Sequence, residues 1–164
     1  MSAEAAWPTA TDEYEQTVIR NVQKWGWHVV LVPEDDQGPG FAFTVGLQRQ
    51  HRHPELILIG LPLAKAHHLL NDLGSRVREG QQLLPGQRLS DLLEGHDCLI
   101  SAVHPSQHRD FLGVACWFSG GCANVQALQI LWPDQAGHFP GEPGFTAALA
   151  DRQPRLDSLV TSPG

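Results

Sequence analysis

At 164 residues, 41% of them hydrophobic, the chain can form one domain burying about two-thirds of its unfolded surface, and is too short for two well-cored ones. Its formal charge of −7, from 18 acidic against 11 basic residues, disfavours an affinity built on neutralising nucleic-acid phosphates, which needs clustered Lys and Arg. No apolar run approaches the ~20 residues of a membrane helix, and three cysteines, Cys98, Cys116 and Cys122, cannot all pair within one chain. With no secretory segment before the domain, a reduced, cytoplasmic protein without a structural disulfide is expected, as a monomer or weak homodimer.

Residues 1–10 show no periodicity and read as a flexible arm. Thr11 is a good N-cap, and Asp12, Glu13 and Glu15 place negative charge where the helix dipole favours it. Tyr14, Val18, Val22 and Trp25 then recur at helical spacing, and Gly26 supplies the stop. Residues 27–32 form a β-branched, aromatic strand before an acidic turn over 34–40. Two apolar runs, 41–47 and 55–61, flank a polar, basic turn and predict a hairpin. Pro62 opens a second helix striped by Leu63, Ala66, Leu70, Leu73 and Val77 and ended by Gly80.

Residues 83–93, with a Pro85-Gly86 turn, read as a connector holding at most one helical turn. A fourth strand follows at 96–103. Pro105 opens a helical segment with Phe111, Leu112, Ala115 and Phe118 on one side, stopped by Gly120-Gly121, and 125–132 is the fifth strand. These elements predict an α+β fold: one domain over 11–140, a largely antiparallel sheet of about five strands, and helices packed on one face. Residues 141–164 are a Pro- and Gly-containing tail that either wraps the domain or is disordered.

The blocks Phe41-Ala42-Phe43-Thr44-Val45-Gly46-Leu47, His53-Pro54-Glu55-Leu56 and Trp132-Pro133-Asp134, the last within a Q-x-x-W-P-D-x-x-G-x-F-P run from Gln129 to Pro140, resemble a bacterial domain-of-unknown-function family, the one numbered 4262. The resemblance extends from about Trp25 to Phe139 and implies no particular reaction. In one departure, Gly141 stands where an aromatic commonly follows the last proline of the block.

His53, Glu55 and Asp134 lie in these blocks at strand ends and are the candidate catalytic residues: His53 as acid or base, a carboxylate to orient it, and Arg49 or Arg52 to hold an anion. Thr44, Arg49, Arg52, Gln129 and Trp132 are candidate ligand-binding residues, Thr44 and Gln129 because a polar group on an apolar strand needs a partner. The plainer alternative has His53 capping its turn and Asp134 bonding backbone amides two residues on. No cofactor motif is readable and no metal ligand is assigned. His104, His108, Cys116 and Cys122 are metal-capable, but His104 falls outside the helix and the spacing is poor for zinc. A binding or interaction module, for a small or locally anionic ligand or a protein partner, is the leading expectation. A small acid–base enzyme is the alternative.

Overall fold

Asp12, one residue later than expected, is the N-cap of the first helix: its Oδ1 accepts the Glu15 N–H at 2.7 Å, while the Thr11 N–H and hydroxyl both donate to the Glu15 carboxylate. The computed structural model describes residues 6–158 and begins its regular structure with this helix, α1 (Glu13–Trp25). Gly26, at φ 98°, ends it as the spacing predicts. The strands β1 (His28–Val32), β2 (Phe41–Val45) and β3 (Glu55–Ile59) follow, with a short helix α2 (Leu47–His51) in place of the open turn expected between β2 and β3. Helix α3 (Leu63–Arg78), strands β4 (Arg88–Leu93) and β5 (His96–Ala102), the short helices α4 (His108–Phe111) and α5 (Gly113–Phe118), and β6 (Ala127–Leu131) complete the core.

The α+β class and the single domain stand as expected, with differences of detail. The sheet has six strands in the order β1-β2-β3-β6-β5-β4, and it is mixed: β3 and β6 run parallel, every other pair antiparallel. The added strand is β4, within the expected connector. Its pairing with β5 shifts register between Leu89 and Leu93, so its buried residues Leu89 and Leu92 stand three apart, and the bulge hides the period of two that marks a strand.

Helices cover both faces of the sheet, not one. Ala42, Leu56, Leu58, Leu128 and Ile130 pack with α3 residues Leu69, Leu70 and Leu73, whereas Phe43, Val45, Ile57 and Ile59 pack with Val18 and Val22 of α1 and with Ala115 and Phe118 of α5. A central strand covered on both sides must be apolar throughout, and every residue of β3 and of β6 is buried.

Close approaches fix how the helices sit. A Cβ on Gly46 would come within 2.6 Å of Val22 and would need a residue at φ 101°, so α1 lies directly on the end of β2. Gly74, inside α3, leaves the room that the Trp27 indole fills, where a Cβ would meet the ring at 2.6 Å. The indole N–H donates to Asn71 Oδ1 at 2.9 Å.

Of the expected arm, residues 6–10 are described; Trp7 and Phe118 meet edge-to-face, and the Arg49 guanidinium lies over the Trp7 ring at 3.9 Å. Residues 1–5 and 159–164 lie outside the described residues, so those parts of the expected arm and tail do too. The described part of the tail returns to the sheet: Leu156 joins the core on the α1 side, and buried Gln153 brackets the Trp132 backbone, accepting its N–H and donating to its carbonyl. Cys116 and Cys122 are joined as a disulfide, which corrects the expectation of a fully reduced chain; an odd count leaves Cys98 over but does not stop the other two from pairing. Among the described residues no helix is long and apolar enough to cross a membrane.

Candidate functional site

Glu55, the first residue of β3, is fully buried and faces the start of α2. Its carboxylate accepts the Thr44 hydroxyl at 2.8 Å and the N–H groups of Gly46, Leu47 and Gln48 at 3.0, 3.1 and 3.2 Å. The Thr44 hydroxyl in turn accepts the Leu56 N–H. Glu55 is thus the cap of α2, contributed from a different strand because Gly46 has no side chain to do it. Burial pushes its carboxyl up to about 7, against the downward pull of the Thr44 hydroxyl and of the three N–H donors.

His53 is buried and uses both ring nitrogens. Nε2 accepts the Leu83 N–H at 3.0 Å, so Nδ1 carries the proton and donates to the Pro54 carbonyl at 2.8 Å. The ring ties the start of the β4 connector to the start of β3.

Asp134 lies past the far end of β6. Oδ1 accepts the N–H groups of Ala136 and His138, and Oδ2 accepts the N–H and hydroxyl of Thr146. Loss of water raises its carboxyl, but the backbone donors from His138 and Thr146, the Thr146 hydroxyl and the His138 ring, 3.7 Å away, together lower it to about 2.

These three residues do not share a cavity. In the parallel pair Glu55 stands opposite Ala127, the first residue of β6, whereas Asp134 follows the last, so the two carboxylates occupy opposite ends of the sheet. His53 is near Glu55 in sequence, but the polar atoms of the two serve different partners. The other candidates are similarly placed in structural roles. Arg49 stacks on Trp7. Exposed Arg52 closes α2 in the left-handed region at φ 53°. Gln129 donates to the Pro154 carbonyl and accepts the Leu156 N–H, holding the tail, and the Trp132 indole N–H donates to the Ile59 carbonyl at 2.7 Å.

A different place has the form of a binding site. β1 is an edge strand, paired only with β2. Along its outer side, between α1 and α3, runs an open groove of about 690 Å³ lined by Asn21, Trp25, Trp27, His28, Leu31, His67, Asn71 and Arg78, among others. That volume lies within the range of ligand sites, ~300–1,000 Å³. Trp25 is 57% exposed and Leu31 42%, and Tyr14, 46% exposed, flanks the groove through a 3.2 Å contact to His28. Three of the four large apolar side chains exposed among the described residues therefore gather at this edge.

No acidic residue lines the groove, in a chain with 18 of them. Arg78 lies over the Trp27 ring at 5.4 Å and makes no carboxylate pair among the described residues, and Lys24 lies over Trp25 at 4.9 Å. Burial, with His67 adding, lowers the pKa of His28, whose Nδ1 faces the Asn21 amide at 3.0 Å. Sequence reasoning put none of these residues in a site. The available signal is the run Trp25-Gly26-Trp27-His28, which by itself reads as a helix end and a strand.

The family model for the domain of unknown function DUF4262 matches residues 21–146, and the chain belongs to that family. No curated protein matches it, and no solved structure does. The blocks that carry the family resemblance are the ones committed to the joints just described: Thr44 with Glu55, His53 with Leu83, Trp132 with Ile59, and Asp134 with its loop.

Proposed function

We propose that this protein is a binding module, and that its ligand is an anionic, extended segment of a partner protein laid along the outer edge of β1. The observation that carries this reading is the groove: an unpaired strand edge, exposed Trp25 and Leu31, and cationic Arg78 with no carboxylate lining the site, in a chain of net charge −7. An added strand takes its affinity from main-chain hydrogen bonds and its specificity from side-chain pockets, here an aromatic shelf and a cation. Binding is preferred to acid–base chemistry by His53 with Glu55 or Asp134, because the polar atoms of all three are committed to internal partners. We place the module in the cytoplasm, the compartment in which glutathione keeps thiols reduced.

Selection from a randomised library of short displayed peptides tests it. Acidic peptides rich in β-branched residues should be enriched on the wild-type protein and lost on Arg78→Glu. Selection without enrichment, or enriched peptides that Arg78→Glu retains, would refute it.

A further inference from the structure

The three cysteines differ sharply in their surroundings. Cys98, on β5, is buried beneath α3, and burial, with Asp97 adding and Lys65 opposing, pushes its thiol up to about 12. It has essentially no thiolate at neutral pH. Of the bonded pair, Cys116 is buried in α5, whereas Cys122 is half-buried and opens onto a surface hollow of about 330 Å³ that it lines with Pro105, Ser106, Arg109 and Asp110. One sulfur-bearing residue meets solvent and the other meets the core.

The turn between them is held by more than the sulfur bond. Gly120 and Gly121, at φ 80° and 146°, reverse the chain where other residues would be strained. The Gly121 N–H donates to the Cys116 carbonyl at 2.8 Å, and the Asn124 amide donates to the Ser119 carbonyl at 3.0 Å. In the bonded form the Cα atoms of the two cysteines are 4.3 Å apart, across the turn that these hydrogen bonds also hold. A partner for the reduced form is also in place, since Cys116 Sγ lies 3.7 Å from the His108 carbonyl, which can accept its S–H. His108 itself is 3% exposed, and its Nδ1 meets the Cys122 carbonyl at 3.2 Å, pinning the second cysteine from the other side.

We propose that Cys116 and Cys122 form a reversible dithiol–disulfide exchange site for low-molecular-weight thiols, with Cys122 the sulfur that is attacked and Cys116 the one that leaves. A thiolate attacks Cys122 Sγ; the bond to Cys116 breaks, and the Cys116 thiolate takes up the proton that the attacking thiol gave up. A second thiol attacks the mixed disulfide at the sulfur of the first, so that the chain ends as a dithiol and the two small thiols as one disulfide. Accessible pairs of this kind in reducing compartments are characteristically exchanging ones and not permanent staples. Arg109 and Asp110 beside Cys122 put one charge of each sign at the entrance, which suits a zwitterionic peptide thiol such as glutathione.

The test equilibrates the whole protein in glutathione buffers from fully reduced to fully oxidised, alkylates the folded chain directly with excess N-ethylmaleimide at neutral pH and maps the labels by mass spectrometry. Native molecules should carry either no label or labels on both Cys116 and Cys122, never on Cys98, with an unchanged near-ultraviolet circular dichroism spectrum throughout. In Cys116→Ser, oxidised glutathione should leave an adduct on Cys122, and Cys122→Ser should form none. If either variant fails to fold, the transient adduct trapped on the wild-type chain gives the same assignment. The site is refuted if the pair resists excess dithiothreitol until the fold is lost, if both thiols stay free in oxidised glutathione, or if the trapped adduct maps to Cys116.

Discussion

His53 and Glu55 show how two titratable residues, each suited to chemistry, are used to hold backbone. Replacing His53 with Ala strands the buried Leu83 N–H, and a lost buried partner costs about 1–3 kcal/mol. His53→Ala should therefore lower the urea midpoint while peptide binding at the β1 groove persists in the folded fraction. Glu55 makes a prediction about pH. Its carboxyl titrates near 7 when folded against an ordinary 4.5, so the folded chain holds the proton more tightly. The resulting stabilisation is complete below about 4.5 and is lost as pH rises through about 7, a change of roughly 3 kcal/mol by linkage. Because His28 and His51 are both lowered and oppose folding as they protonate at acid pH, the Glu55 share is read as a difference between proteins. The stability advantage of wild type over Glu55→Gln should shrink between about pH 4.5 and pH 7; parallel curves across that window would show that Glu55 is ionised throughout it.

Among the elements, the β2–β3 hairpin is the mechanical centre, since Phe43 and Ile57 are register partners and both are buried on the α1 side. Phe43→Ala or Ile57→Ala should each cost about 2–5 kcal/mol through lost burial and an unfilled cavity, measured by denaturant unfolding. Gly46→Ala should be comparably harmful for another reason, since it places a Cβ against Val22 at a backbone angle that alanine avoids. Periodicity made α1, α3 and the strands around this hairpin legible, because each repeats its apolar positions locally. The short helix α2 was not legible: its polar sequence, Leu47-Gln48-Arg49-Gln50-His51, becomes helical with the Glu55 cap, which arrives from β3. The segment expected as one helix after Pro105 is broken at Leu112, whose φ of −123° takes it out of helical geometry and separates α4 from α5.

At the scale of the whole molecule, the tail closes one face of the sheet through Gln153, whose amide meets both the N–H and the carbonyl of Trp132. Gln153→Ala leaves both groups unpaired and should cost roughly 2–4 kcal/mol; an unchanged unfolding midpoint would show that the tail contributes nothing to closure. The α+β class, the main helices and strands, and the family are legible in the sequence, because these depend on patterns that recur within about a dozen residues or on short ordered blocks. The sequence also marks Thr44 and Gln129 as polar residues that must find partners, and His53, Glu55 and Asp134 as titratable residues at strand ends. Only the tertiary structure decided which partners those are, and so turned the candidate site into a set of joints with Glu55 and Asp134 at opposite ends of the parallel pair. It alone brought Trp25, Leu31, His67 and Arg78 together along β1, and Cys116 to Cys122. The physical reason is that a pattern within one segment records which face is buried, whereas a site records which segments meet, and that is set by strand order and helix placement across the whole sheet.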